Sequence, residues 1–272
     1  MLHQITPLLL TRNEEPNIGR TLKQLSWAED IVVVDSFSHD DTLDVVSRFP
    51  RARVFQREFD RHDRQWNFGL QETGIRTEWV LALDADYVLT EEGVAEFASL
   101  KPAPATNGYR AKFVYCINGK PLRSSLYPPV TVLYRKTHAQ YAQDGHTQRL
   151  ILPGEVEDLN VPVRHEDGKS FKTWLGNQAR YAELEARKLL GSPSKELNFS
   201  DRLRTWRIIA PISVFFYCLI YRGGILDGRA GLYYAFQRLL AEAMLSAKLF
   251  QQAKPEEGRA ESERHSERWA KL

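Results

Sequence analysis

The chain has 272 residues, 43% of them hydrophobic, enough for one substantial core with elements appended to it. Its 37 Lys and Arg nearly balance 35 Asp and Glu, which argues against an overall electrostatic grip on nucleic acid. Cys116 and Cys218 lack metal-ligand spacing and disulfide-scaffold density, and no basic-then-apolar leader precedes the first apolar run, so a cytoplasmic protein is expected.

Ile5 to Leu10 reads as a first buried strand, followed by the polar turn Thr11 to Asn17. A helix then runs toward Trp27, burying Ile18, Leu22 and Leu25 at helical spacing. Ile31 to Val34 is a β-branched second strand ending at Asp35, and Ser36 to Thr42 is rich in residues that cap a helix extending to about Phe49. Arg53 to Gln56 is a third, shorter strand, and a helix around Arg64 to Glu72 precedes the apolar run Trp79 to Leu83. Strands alternating with helices predict an α/β fold with right-handed crossovers and helices on both faces of the sheet.

The run beginning at Trp79 stops at Asp84-Ala85-Asp86. Side chains at i and i+2 of an extended chain point the same way, so both carboxylates can address one point beyond the strand's carboxyl end, where open α/β sheets bind ligands. With no adjacent His or Cys they suit Mg²⁺ or Mn²⁺ sharing its ligands with a diphosphate; the structural alternative is capping of a helix near Thr90. No Gly-x-Gly-x-x-Gly or Walker-type loop follows any strand, which leaves a diphosphate to a metal or to side-chain cations. Asp35 can accept hydrogen bonds from a uracil or ribose, or cap the next helix, and Thr11, Asn13 and Glu14 can line the same crevice.

Thr11-Arg12-Asn13-Glu14-Glu15, Val32 to Thr42, Asn67 and Leu83-Asp84-Ala85-Asp86 together closely resemble the successive motifs of family-two glycosyltransferases, most closely the lipopolysaccharide-core glucosyltransferase branch. The likeness is strong over the first hundred residues and looser beyond. It implies a GT-A fold with a Rossmann-like mixed sheet, a nucleoside diphosphate sugar donor linked to uridine, and an inverting reaction. By the same resemblance Asp35 meets the nucleoside, Asp84 the ribose or sugar, and Asp86 the metal. Many relatives carry Lys or Arg before the matching Asn; Trp66 stands there in this chain, and Arg64, three residues before Asn67, can supply the cation.

Beyond Pro104, Gly108 to Ile117 and Thr131 to Tyr134 read as strands of a mixed sheet, with a turn at Asn118-Gly119. Tyr141 to Leu150 gathers Asp144, His146, Gln148 and Arg149 in a stretch without a long apolar pattern, either a solvated turn or an acceptor-side catalytic loop. An inverting transfer needs a base for the acceptor hydroxyl. Relatives tend to carry His-Glu here, whereas this chain has His146-Thr147, so Asp144 is the first candidate and Glu166 or Asp167 the reserve. His165 or His146 matches the late histidine that GT-A enzymes often give to the metal; an ordinary hydrogen-bonded role is the alternative. Phe171 to Leu190 predicts a helix with Trp174, Gln178, Tyr181, Glu185 and Lys188 near one stripe, beside the acceptor or simply packed.

Arg202, Arg204 and Arg207 precede the apolar run Ile208 to Tyr221, which Arg222 follows. It is shorter than the roughly 20 residues that cross a bilayer. Its flanks favour a segment lying in a membrane interface over a buried core helix. Tyr233 to Phe250 predicts a further helix, and residues 254–272 a charged mobile tail. The expected organisation is a glycosyltransferase domain over 1–190, a helical membrane-associated extension over 191–253, and the tail. The expected activity is metal-dependent hexosyl transfer to a lipid-linked or lipopolysaccharide-type glycan at the cytoplasmic membrane face, in cell-envelope synthesis. A nucleotidyltransferase and a non-catalytic membrane-surface protein are the competing readings.

Overall fold

The structure is a computed structural model that describes residues 1–252 apart from 145, 146, 194 and 196. The tail expected over 254–272 and the candidate His146 lie outside the described residues. Four strands, β1 (Ile5–Thr11), β2 (Ile31–Asp35), β3 (Ala52–Gln56) and β4 (Trp79–Asp84), run parallel, linked through helices α1 (Glu15–Gln24), α2 (Thr42–Val46) and α3 (His62–Glu72). β1 lies between β2 and β4, with Leu10 opposite Asp84 and Thr11 opposite Asp35. That register brings the two motif-bearing strand ends together beside the first polar turn. Alternate residues serve opposite faces: Leu9, Val33, Leu81 and Leu83 pack toward α1 and α2, while Leu8, Val32, Val34 and Val80 meet Trp66 and Leu70 of α3. Gly69 of α3 lets that helix approach closely, since a Cβ there would stand 2.7 Å from Leu8 Cδ1.

After β4 come β5 (Tyr87–Val88) and α4 (Glu91–Ser99), which Thr90 caps by accepting from Gly93 N. Next are β6 (Thr106–Ala111), β7 (Phe113–Ile117), β8 (Lys120–Pro121), β9 (Val130–Arg135), β10 (Gln140–Asp144), β11 (Thr147–Ile151), β12 (Glu155–Asp158) and β13 (Val163–His165). The main sheet has the order β12-β6-β9-β4-β1-β2-β3, with β9 antiparallel to both β4 and β6. A second sheet, β5-β13-β7-β8, stands at its carboxyl edge and carries His165.

Two expectations change. The strand anticipated over Gly108 to Ile117 is divided at Lys112, because β6 pairs in the main sheet whereas β7 pairs with β13 and β8 in the second. Lys112 lends its carbonyl to Val163 N at the crossing. Within the stretch Tyr141 to Leu150 the described residues belong to β10 and β11, which pair as an antiparallel hairpin rather than forming a loop. Asn67 on α3 secures it, donating from Nδ2 to Tyr141 O and accepting at Oδ1 from Tyr141 N, both at 2.9 Å. The Asn118-Gly119 turn closes β7 onto β8 as expected, with φ of 50° and 76°.

The remaining helices are α5 (Phe171–Gly191), α6 (Phe199–Thr205), α7 (Ile209–Phe216) and α8 (Arg229–Gln252). Ala182, Ala186 and Leu189 of α5 pack on Leu245 and Leu249 of α8. Gly231 permits the start of α8 to lie on the preceding turn, where any Cβ would collide with Gly224 O. Asp227 ties this region to the second sheet by accepting from Arg123 N and Ser124 N. Arg204, one of the cations flanking the apolar run, turns inward to Glu242 at 3.1 Å and Asp201 at 3.5 Å. No helix among the described residues is long and apolar enough to cross a membrane.

Candidate active site

A cavity of about 580 Å³ opens at the carboxyl ends of β1 and β4 and continues between α5 and α8. At its mouth, Thr11 ends β1 and Asn13 and Glu14 follow it, Asp84 ends β4 and Asp86 follows it, and His165 ends β13. His165 Nε2 lies 3.0 Å from Asp86 Oδ2. Three tyrosines, Tyr87, Tyr115 and Tyr127, meet the imidazole edge to face at 5.2, 4.8 and 4.7 Å and hold the ring in one orientation. His165 Nδ1 is buried and has no hydrogen-bond partner among the described residues.

Charge is concentrated here. Burial, then the neighbouring Asp86 charge, pushes Asp84 up to about 6 and Glu14 up to about 7. Burial would raise Asp86 as well, but the charge and hydrogen bond of His165, with Lys169 nearby, hold it below the ordinary carboxylate range. Burial opposes a charged His165, yet Asp86 and Asp84 outweigh it and raise the imidazole. Lys169 pairs with Glu14 Oε1 and is the cation set among these acids. Burial above all keeps Tyr87, Tyr115 and Tyr127 neutral.

A divalent cation fits this chemistry in part. Asp86 and His165 offer one oxygen and one nitrogen about as far apart as adjacent ligands of one ion, with Asp84 close by. Among the described residues no group of three His, Cys, Asp or Glu stands ready to hold a metal, so the other ligands would be water and diphosphate oxygens.

Residues 8–142 match the family model described as glycosyl transferase family 2. The chain carries a family-two glycosyltransferase domain. It is similar over nearly its whole length to an uncharacterised glycosyltransferase of Rickettsia felis, 24% identical over 267 residues that cover 91% of this chain and 93% of the relative. A Rickettsia prowazekii counterpart is 25% identical, covering 90% and 87%. Among solved structures, S. aureus TarS 1–349 in complex with UDP-GlcNAc aligns at 14% identity and a TM-score of 0.49 over 91% of each chain. Glucosyl-3-phosphoglycerate synthase from Mycobacterium tuberculosis, in complex with Mn²⁺, UDP and glucosyl-3-phosphoglycerate, aligns at 17% identity and 0.48, covering 70% and 81%.

Within the glycosyltransferase domain, the motif residues divide between the cavity and its supports. Thr11, Asn13, Glu14, Asp84 and Asp86 line the cavity, as does His165 from beyond the matched segment. Asp35 lies behind this wall, fully buried. It accepts from Thr11 Oγ1 at 2.9 Å, Ser38 N at 2.9 Å, Ser38 Oγ at 2.5 Å and Gln56 Nε2 at 3.3 Å. Asn67 is engaged with the hairpin backbone, and Arg64 pairs with Asp60 at 2.8 Å on the outer face of α3. Trp66 is buried and stacked on Tyr141 at 5.4 Å.

Asp144 is bound to Lys188 of α5 at 2.9 Å, and neither it, Gln148 nor Arg149 lines the cavity. Of the reserve carboxylates, Glu166 faces Arg20 at 3.9 Å, whereas Asp167 lines the cavity and accepts from Lys169 N at 3.0 Å. Sequence reasoning missed Lys169 and the Arg238–Glu242 pair. Lys169 follows Asp167 by two positions, a spacing that could have flagged it; the other pair stands at i,i+4 on the expected helix, where it reads as an ordinary surface ion pair.

Proposed function

We propose that the chain is an inverting glycosyltransferase that moves a hexosyl group from a UDP-linked sugar to a lipid-linked or lipopolysaccharide-type glycan at the inner face of the cell membrane. The observation carrying the reading is the single cavity that joins Asp84, Asp86 and His165 at the sheet's carboxyl edge to a long polar recess. The matched family supplies the reaction class, and a GT-A arrangement agrees with the mixed sheet. Asp86 and His165 would hold Mn²⁺ or Mg²⁺, whose charge offsets that gathering on the departing diphosphate. Asp84, Thr11 and Asn13 would orient the ribose and sugar, with Asp35 steadying the nucleoside side through Thr11 and Ser38.

The acceptor oxygen attacks the anomeric carbon, the bond from that carbon to the diphosphate breaks, and the acceptor proton passes to a carboxylate. We assign that base role to Asp167, because of the three candidates it alone lines the cavity. Lys169, held between Glu14 and Asp86, adds positive charge on the diphosphate side.

The helical carboxyl-terminal region supports membrane attachment. Ile212, Phe216 and Ile220 recur every four residues and are 52%, 51% and 64% exposed, while Tyr221, Ile225 and Leu226 extend the apolar face. Arg202, Arg222 and Arg229 are exposed beside it and suit anionic headgroups. A thermal-shift panel of nucleoside diphosphate sugars, with and without Mn²⁺, tests the donor assignment. A rise with uridine diphosphate sugars that requires the cation is expected; a flat response to the whole panel would exclude the reading.

A further inference from the structure

The cavity is longer than its donor-side mouth requires. Trp174, Tyr181 and Glu185 of α5 all line it, and the eleven helical steps from Trp174 to Glu185 span about 16 Å. At the inner end, α8 contributes Arg238, Ala241 and Glu242 opposite Glu185. Arg204 donates to Glu242 Oε1 through Nε at 3.2 Å and Nη2 at 3.1 Å, and Arg238 Nη2 reaches the same oxygen at 3.5 Å. All three donors converge on one oxygen. Glu242 Oε2 and Arg238 Nε are buried with no hydrogen-bond partner among the described residues, although Glu242 is only 6% exposed. Leaving such buried groups unpaired is costly, so a native fold that retains them calls for an occupant.

The two free atoms differ in what they need. Carboxylate Oε2 requires a donor, and guanidinium Nε–H requires an acceptor. A hydroxyl meets both needs with one oxygen. A phosphate dianion offers acceptors only and would stand against Glu185 and Glu242; an ammonium offers donors only. We propose that the inner end of the cavity, between α5 and α8, is a subsite for a neutral sugar ring of the acceptor, with one ring hydroxyl bridging Arg238 Nε and Glu242 Oε2. This rests on the glycosyltransferase reading above and specifies its acceptor: the part seated against α8 is an uncharged polyol, and any phosphate or lipid of the same molecule lies toward the mouth.

Saturation-transfer NMR on the full chain with Mg²⁺ and UDP, using methyl α-D-mannopyranoside and methyl α-D-glucopyranoside as probes, tests the subsite. At least one glycoside is expected to show saturation at millimolar concentration. Both Glu242→Gln and Ala241→Leu are expected to weaken it roughly tenfold or more, while the calorimetric affinity for UDP moves less than about twofold. Ala241→Leu fills the subsite without touching its charges, so it carries the test should Glu242→Gln fail to fold. Absence of UDP binding in the wild type would overturn the glycosyltransferase reading itself. With UDP bound, no saturation of either glycoside, unchanged saturation in Ala241→Leu, or displacement of the glycoside by an equal concentration of inorganic phosphate would overturn the subsite alone.

Discussion

Asp167 differs from the other candidate bases in what surrounds its carboxylate. Asp144 faces Lys188, which also approaches Asp201 at 3.7 Å, so its charge serves a link between the hairpin and α5. Asp167 faces the cavity with Lys169 two residues away and Asn17 Nδ2 at 3.3 Å from Oδ1. Replacing it by Asn preserves size and those donors' geometry while removing the proton acceptor. Asp167→Asn is therefore expected to lower turnover by roughly a hundredfold with donor affinity nearly intact, whereas Asp144→Asn retains most activity. Steady-state transfer and donor binding measured side by side for the two amides check this. Loss in Asp144→Asn with full activity in Asp167→Asn would return the base role to Asp144.

Elements differ in how plainly the sequence announces them. β1, β2 and β4 are buried on both faces and read as largely apolar runs, so both they and the carboxylates ending β2 and β4 were legible. β10 and β11 were not, because their order comes from Asn67 and the Trp66–Tyr141 stack, partners more than seventy residues away in the chain. The same distance hid Arg204: beside an apolar run it looks like a headgroup contact, but Glu185 and Glu242, on two other helices, hold it inside. The exposed face of α7 and the turn after it remains apolar with Arg204 withdrawn. Sedimentation with anionic liposomes at low salt should carry the wild-type chain down, and the Ile212→Ser, Phe216→Ser, Ile220→Ser variant should stay in solution. Phe215 is a poor choice for such a variant, since it packs on Phe236 at 5.2 Å. A wild-type chain wholly in the supernatant would assign this face to something other than lipid.

At the scale of the molecule, the acidic cluster couples stability to pH and to the cation. Glu14 and Asp84, at about 7 and about 6, lie above their ordinary values of 4.5 and 3.8, so the folded chain binds more protons across that interval. Stability then falls as pH rises through it. His165, raised above 6.5, contributes stability that is present in acid and lost as pH rises through its folded value. Asp86 acts oppositely, its contribution being present above 3.8 and lost in stronger acid. The metal-free protein should therefore show its highest Tm near about pH 5 and a lower one near about pH 8. Mn²⁺ with UDP should raise Tm more at the higher pH, where the carboxylates are charged. Thermal melts across pH with and without the cation check both; a metal-free Tm that climbs from acid to pH 8 contradicts the cluster as described.

The claim on which the rest depends is that the carboxyl edge of β4 binds a nucleotide sugar through a cation held by Asp86. Isothermal titration of wild-type and Asp86→Ala chains with a uridine diphosphate sugar, in Mn²⁺ and in chelator, tests it most directly. Binding by the wild type in Mn²⁺ alone, absent from Asp86→Ala under both conditions, is the expected result; unchanged Mn²⁺-dependent affinity in Asp86→Ala would contradict it.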